Sequence, residues 1–504
     1  DDLEYDKETG IDEANATAEQ IMEYLMGKDN FGISSKYDGD LAYRIVVVRY
    51  AMLGNRFARY KEVKIATDVS DKTVAYVNEH MDTLSGISVN EDMIRKYNYS
   101  EYFSSIIGYT GPISESEYTA LHKKNKDYTQ NDTVGKAGLE QYYETYLRGK
   151  NGEQKFYIDN VGRISEIISS TDSVAGDDLY LSIDADLQKA TYLALQNEIA
   201  AIVYSNIKSG EIPINDVYTA LIGNSVINTE HFSKSKASDT EKSVLSVFKS
   251  RQKTTLGKIK QELTSSPEAL NTMSDEVLDE FTYIISMLKD DQVLLKNEID
   301  TSDSVYQKWK DQKISPKEYL NYCITQHWID ISQLNVDEKY ADSTEVYDAL
   351  CKYILKNIKT DTEFSKIIYQ YMITRGEISP RQLCLILFDQ GVLDYDDATV
   401  NKLKNGSLSP RDFLMKKIYN IEITPAQLAL EPCTGSCVVT DEKTGEIRAM
   451  VSYPGYDSNK LANGVDSEYF ASLQHDKSSP LLNYATQQKT APGSTFKLVS
   501  ATAG

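Results

Sequence analysis

The sequence predicts an α+β multidomain protein, and three observations carry that reading. Residues 206–428 form a long block in which helix-forming runs dominate, glycine thins out and strand signals nearly vanish. On both sides of that block, short alternating segments are mixed with helical ones and punctuated by glycine. The chain has 504 residues, and at about 150 residues per domain this suggests about three domains. A hydrophobic share of 41% and a charged share of 26% are enough to fold most of it. No apolar run approaches the roughly 18 residues of a membrane-spanning helix. The longest such stretches, Ile45–Val48 and Leu383–Phe388, are far shorter.

Residues 1–178 read as an amino-terminal domain of mixed helices and strands. Ala14–Met26 and Leu41–Leu53 carry apolar residues at three- and four-residue spacings and predict helices. Glu62–Val69 alternates through Val63 and Ile65 and predicts a strand. Ser70 is placed to cap a helix with Val74, Val77 and Met81 on one side. From 85 to 165, Gly108, Gly111-Pro112, Gly135, Gly138, Gly149 and Gly152 mark turns between short elements. Residues 179–205 begin a second domain. Leu179–Ile183 alternates like a strand, and after Asp184 a helix follows with Leu195, Ile199 and Ile202 on one face.

Within 206–428 one device recurs: Ile314-Ser315-Pro316, Ile378-Ser379-Pro380, Leu408-Ser409-Pro410 and Ile423-Thr424-Pro425. The hydroxyl can cap a helix, and proline suits its first turn, where no N–H is needed. The spacing is unequal, so this is a helix-start device and not a solenoid period. Residues 429–504 resume the second domain. Ser436–Thr440 and Glu446–Val451 flank Asp441–Gly445 and predict a β-hairpin, which Tyr453-Pro454-Gly455 ends. Ala491-Pro492-Gly493 then leads into a helix from Ser494.

Lys+Arg is 54 and Asp+Glu 76, a net charge of −22. That balance argues against nucleic acid or an anionic lipid surface as the main partner and fits a solvated exterior. The 36 Tyr against 12 Phe name no function. Asp1-Asp2-Leu3 shows no charged start followed by an apolar stretch, so no signal peptide is visible, and the missing Met suggests that a leader, anchor or tag was removed upstream. Cys323, Cys351, Cys384, Cys433 and Cys437 are too sparse for a disulfide framework. Cys433 and Cys437 lack a neighbouring His or second pair, so they read as free thiols and not as a zinc site. His80, His122, His231, His327 and His475 show no ligand spacing. Neither a metal nor a cofactor is expected.

The chemically pointed feature is Ser494-Thr495-Phe496-Lys497. Residues three apart share a helix face, which brings the Lys497 amine toward the Ser494 hydroxyl. A serine alcohol is a weak nucleophile, and a neutral lysine beside it can take its proton. The start of a helix also directs N–H groups toward negative charge that develops on a substrate. Alone the spacing is weak: Ser205…Lys208, Ser233…Lys236, Ser246…Lys249, Ser250…Lys253 and Ser286…Lys289 match it too. Only Ser494 follows a hairpin, a long loop and a Pro-Gly turn.

In that context Ala491-Pro492-Gly493-Ser494-Thr495-Phe496-Lys497 resembles the active-serine segment of penicillin-binding proteins. Val438–Asp441, Thr444–Ile447 and Ala449–Pro454 resemble the opening hairpin of their transpeptidase domain. Tyr456–Asn459 and Asn483-Tyr484-Ala485 continue the match. Val134–Glu140, Tyr143–Gly149 and Ile107–Gly111 resemble the pedestal domain of the class B, monofunctional members. The resemblance covers about 60–205 and 430–504, and none is found for 206–428.

It implies a pedestal over 1–178, a transpeptidase domain beginning at 179–205 and continuing at 429–504, and an all-helical insertion at 206–428 between them. The fold implied is a penicillin-binding/β-lactamase-like serine transpeptidase domain. Ser494 would be the nucleophile and Lys497 the general base of a peptidoglycan D,D-transpeptidase that cross-links stem peptides and is acylated by β-lactams. The resemblance further implies a single amino-terminal membrane anchor upstream of residue 1, work on the extracytoplasmic face, and a membrane glycosyltransferase of the elongation or division machinery as partner.

The pattern is incomplete. The family also has a later S-x-N and a later K-T-G, and the sequence ends seven residues after Lys497. Lys443-Thr444-Gly445 precedes the serine and reads as a hairpin turn. The chain thus reads as the front part of an enzyme, expected to be inactive alone. The alternatives are a non-catalytic cell-wall scaffold or partner-binding protein and, against the long pedestal, a β-lactamase or β-lactam sensor.

Overall fold

The computed structural model describes residues 16–34, 36–37, 39–53, 63–81, 83–84, 86–90, 93–130, 132–158, 164–265, 268–334, 336 and 342–503. The strands described form three separate two-stranded antiparallel sheets, and helices dominate after residue 184. Two units can be distinguished. One comprises 1–94, 116–129 and 145–179, and the other 95–115, 130–144 and 180–504.

In the first unit, helices Ala18–Met26 and Gly39–Leu53 meet around Leu25, Ile33, Ala42 and Val46. Thr17 and Gln20 form a capping box at the first helix. The predicted Ala14 and Asn15 lie outside the described residues. Ser70 caps Asp71–Glu79 by accepting from the Thr73 N–H, as its position predicts. Val74 and Val77 are half-buried there, whereas Met81 lies beyond the helix and is exposed. The strand expected at Glu62–Val69 is not formed over 63–69, and Glu62 lies outside the described residues. Alternation alone does not make a strand: backbone N–H and C=O groups need a partner edge, and no described residue offers one here. The hairpin Glu153–Ile158/Ile164–Thr171 completes this unit.

The second unit contains the helical block. Each Ser/Thr-Pro device does what its chemistry predicts. Ser315, Ser379, Ser409 and Thr424 accept from the N–H of Glu318, Gln382, Asp412 and Gln427, with proline opening each helix. The preceding Ile314, Ile378 and Ile423 are buried, so each cap is pinned to the core by the residue before it. One continuous core runs from Val203 to Leu428, including Leu221, Phe281, Leu320, Ile354, Phe364, Leu387 and Leu414. Glu276 is buried and bound by two arginines. Arg251 reaches it at 3.0 Å and Arg375 at 2.5 Å, joining three helical segments. The five cysteines are free, and all but Cys437 are buried. Burial pushes the Cys433 thiol up to about 11.

Helix Ala185–Ser209 begins at Asp184, whose carboxylate accepts from the Leu187 N–H. Its buried face is Gln188, Tyr192, Gln196, Ile199, Ala200, Val203 and Ile207. The expected face is therefore corrected: Ile199 lies on it, Leu195 only flanks it, and Ile202 is exposed. The strand expected at Leu179–Ile183 is not formed either. Residues 180–184 hold to the hairpin by two bonds only, Ser182 Oγ to the Ile447 carbonyl and the Asp184 N–H to the Arg448 carbonyl.

Glu280 supplies a test of the helical core. It is 1% exposed, and burial together with neighbouring Glu276 pushes its carboxyl up to about 8. A carboxyl raised in the folded state favours folding fully below its unfolded value, and that contribution is lost as pH rises through the folded one. The melting temperature should therefore fall between about pH 4.5 and pH 8. Glu280→Gln should flatten the decline and raise the midpoint at pH 8.5 by about 2–4 °C per kcal/mol regained. Calorimetry of the two proteins across this range checks it, and an unchanged slope in the variant would rule Glu280 out as its source.

Candidate active site

The region that leads to Ser494 begins with the hairpin Gly435–Thr440/Ile447–Tyr453. Asp441 accepts from the N–H groups of Lys443 and Thr444 and so fixes the turn. Lys443-Thr444-Gly445 is thus an exposed hairpin turn, as its position in the sequence suggests. The free edge of the second strand is met by a side chain. The Gln188 amide donates to the Met450 carbonyl at 2.9 Å and accepts from the Met450 N–H at 2.8 Å. It also donates to the Tyr102 carbonyl at 2.8 Å, in helix Ser100–Ile107. One buried glutamine therefore stands in for a residue of a third strand.

One turn further on, Tyr192 packs edge-on between Tyr102 and Tyr453, with centroids at 5.0 and 5.5 Å. Its hydroxyl donates to Glu101 at 3.0 Å and accepts from the Gly455 N–H at 3.1 Å. Burial and the Glu101 carboxylate hold this phenol well above its usual range. Gly455 is required by proximity, since a Cβ there would lie 1.9 Å from the Glu101 carbonyl oxygen. Next along the chain, the Tyr456 N–H donates to Ser104 Oγ and the Tyr456 hydroxyl to the Ser104 carbonyl, both at 3.1 Å.

Two asparagines four apart repeat the glutamine's device. Asn459 accepts from the Tyr97 N–H at 2.8 Å and donates to the Tyr97 carbonyl at 3.1 Å. Asn463 does the same with Arg95, at 2.9 and 2.6 Å. Arg95 also pairs with buried Glu140 at 3.1 Å, and Tyr97 donates to the same carboxylate at 3.3 Å. Burial, only partly offset by Arg95, raises the Glu140 carboxyl. It pushes the Tyr97 phenol up to about 12.

The segment entering the serine motif is held by Asn483. Ser452 of the hairpin donates to Asn483 Oδ1 at 3.0 Å and accepts from the Ala485 N–H at 3.1 Å. Asn483 donates onward to the Ser105 carbonyl at 2.9 Å. After the short helix Tyr484–Gln487 the chain reaches Gly493–Phe496, a 3₁₀ turn, and then helix Lys497–Ala503. The helix expected from Ser494 is thus a 3₁₀ turn at its start. In a 3₁₀ turn residues three apart eclipse one another, which sets Lys497 on the same side as Ser494. Both are exposed, and no hydrogen bond joins their side chains. Of the other serine–lysine pairs, Ser205 lies in helix Ala185–Ser209, Ser246, Ser250 and Ser286 within helices of the block, and Ser233 in a 3₁₀ turn. Among the described residues no group of three or more His, Cys, Asp or Glu could hold a metal ion.

Sequence reasoning missed Gln188, Tyr192, Asn463 and Ser452. A signal was present for the first two: Gln188, Tyr192 and Gln196 recur every four residues on a helix whose other inward residues are apolar.

Comparison with known proteins matches residues 2–181 to the penicillin-binding protein dimerisation domain and residues 435–504 to the penicillin-binding protein transpeptidase domain. The two ends of the chain are thus similar to two domains of penicillin-binding proteins. Among curated members, the peptidoglycan D,D-transpeptidase MrdA of Salmonella typhimurium is 29% identical over 157 residues, which cover 31% of this chain and 25% of that protein. Penicillin-binding protein 2A of Bacillus subtilis is 35% identical over 136 residues, covering 27% of this chain and 19% of its own. The chain therefore spans a quarter or less of these penicillin-binding proteins. A solved penicillin-binding protein 2B of Streptococcus pneumoniae shares 21% identity, with 42% of this chain and 38% of that chain covered and a TM-score of 0.23.

Replacing Gln188 by Met keeps volume but strands both backbone groups of Met450. Gln188→Met should cost about 1–3 kcal/mol in urea unfolding. Asn197→Met, at an exposed position of the same helix, should change stability by no more than about 0.5 kcal/mol. Equal effects would mean that Gln188 is not a structural substitute for a strand.

Proposed function

We propose that the protein is a peptidoglycan D,D-transpeptidase in which Ser494 is the acylated nucleophile and Lys497 the general base. The observation that carries this is the serine–lysine pair inside the matched transpeptidase segment, downstream of a matched dimerisation domain. Ser494 Oγ attacks the carbonyl of the penultimate D-alanine of a stem peptide while Lys497 takes its proton. The carbon–nitrogen bond to the terminal D-alanine breaks, and the proton leaves with that amine. The amine of a neighbouring stem peptide then attacks the ester, the bond to Oγ breaks, and the serine regains a proton. β-Lactams present a carbonyl to the same oxygen and stay attached. The reading extends to a membrane anchor, an extracytoplasmic site of action and a membrane glycosyltransferase partner.

The intact natural protein should form a covalent adduct with a fluorescent penicillin, and Ser494→Ala should remove it. Lys497→Ala should slow acylation by about 10²–10⁴-fold without loss of fold. Label retained in the Ser494 variant would overturn the assignment of the nucleophile and favour a non-catalytic wall-binding role.

The helical block is proposed to be an insertion that serves spacing or partner contact and not chemistry. Support comes from its own core and from the closeness of its ends, where Ile199, just before the block, packs in one cluster with Ala426. Long insertions whose ends meet cost little loop entropy. Replacing residues 211–423 by a short linker, with Val203 and Ile207 changed to Ser, should leave penicillin acylation within about threefold, about 0.65 kcal/mol in barrier. Loss of labelling in a still-folded protein would assign the block a part in the active site.

A further inference from the structure

Helix Asp239–Thr264 is out of keeping with the charge of the chain around it. Between residues 242 and 261 it carries Lys242, Lys249, Arg251, Lys253, Lys258 and Lys260 and no Asp or Glu, in a chain of net charge −22. Arg251 is engaged inward, binding Glu276 and approaching Glu377, while Lys258 is exposed on the opposite side of the helix from the other four lysines, where its charge acts on Glu280. The other four, Lys242, Lys249, Lys253 and Lys260, are exposed and make no ion pair in the described structure. Their spacing is seven, four and seven residues. At 100° per residue all four fall within about 20° of one line, and at 1.5 Å per residue that line is about 27 Å long.

Small residues lie beside the line. Ser246 stands between the first two lysines and Gly257 between the last two, both exposed. A Cβ on Gly257 would meet nothing within 4 Å. Packing therefore does not explain this glycine, which costs a helix interior about 1 kcal/mol relative to alanine. Its absent side chain leaves room for a second molecule against the backbone. The Gln252 amide donates to the Lys359 carbonyl at 3.0 Å. That brings the end of helix Ser343–Thr360, with exposed Lys356 and Lys359, beside the middle of the lysine helix.

We propose that this face binds a linear polyanion with regularly spaced phosphate charges. A row one lysine wide matches a chain and not a plane. A flat anionic bilayer would be brought against the acidic remainder of the surface, whereas a polymer lying along the helix follows the lysine row, with Asp239 the one acid of this helix beside it. Binding would release counterions and weaken steeply with salt.

The test uses the full 504-residue chain and labelled long-chain inorganic polyphosphate. Binding should saturate, and with four contacts the slope of log K against log salt should be about −3. Lys242→Gln/Lys249→Gln/Lys253→Gln/Lys260→Gln should weaken binding about tenfold or more and flatten that slope. A control of equal charge change, Lys296→Gln/Lys308→Gln/Lys310→Gln/Lys402→Gln on exposed positions elsewhere, should leave both unchanged. Circular dichroism of both variants should match the parent. Absence of saturable binding, or equal loss in the control, would overturn the proposal. So would dependence on the lysine row for phosphatidylglycerol-containing vesicles but not for polyphosphate, since the partner would then be a lipid surface.

Discussion

The second unit depends on a single rigid element, the helix Ala185–Ser209. Two cores meet along its buried face. Tyr192 and Ile199 pack with Val451 and Tyr453 of the hairpin, while Val203 and Ile207 belong to the core of the helical block. A helix of 25 residues is about 37 Å long, and its hydrogen bonds run within itself. It can therefore link two cores without exposing backbone between them. The return of the chain is organised in the same way: Ala426 lies in the hairpin core and Leu428 in the block core, two residues apart.

The hairpin makes the helix necessary. Two strands alone are marginal in water, and the unpaired edge at Met450 would be costly to bury. Side-chain amides solve this repeatedly. Gln188 completes Met450, Asn459 completes Tyr97 and Asn463 completes Arg95, each accepting from an N–H and donating to the carbonyl of the same residue. An amide carries a donor and an acceptor at the spacing of a peptide group, so it can pair with backbone where no strand is available. The same polar framework extends through Ser452 and Asn483 to the start of helix Tyr484–Gln487.

The polar interior of the helical block follows a different rule. Glu276 is doubly held by Arg251 and Arg375, whereas Glu280 one turn away has its carboxyl raised. Two carboxylates on one buried face are costly to ionise together, and Glu280, which lacks the arginine partners that Glu276 has, is the one whose proton is favoured. The exposed lysines on the far side of the helix that carries Arg251 stay in water, where a charge costs little to keep.

What the sequence determined by itself is local. A serine or threonine before proline caps the helix that follows, because donor and acceptor lie three residues apart, and Ser315, Ser379, Ser409 and Thr424 all do so. The hairpin about Asp441–Gly445 and the common side of Ser494 and Lys497 are equally local, fixed by turn chemistry and residue spacing. Tertiary structure decided whatever depends on a distant partner. Val63–Val69 and Leu179–Ile183 alternate like strands but find no full ladder. The spine helix has apolar residues on more than one side, so the facing cores select Val203 and leave Ile202 exposed. Gln188, Asn459 and Asn463 read as ordinary polar residues until the backbone they complete is brought to them from up to 368 positions away, a proximity that no local spacing encodes.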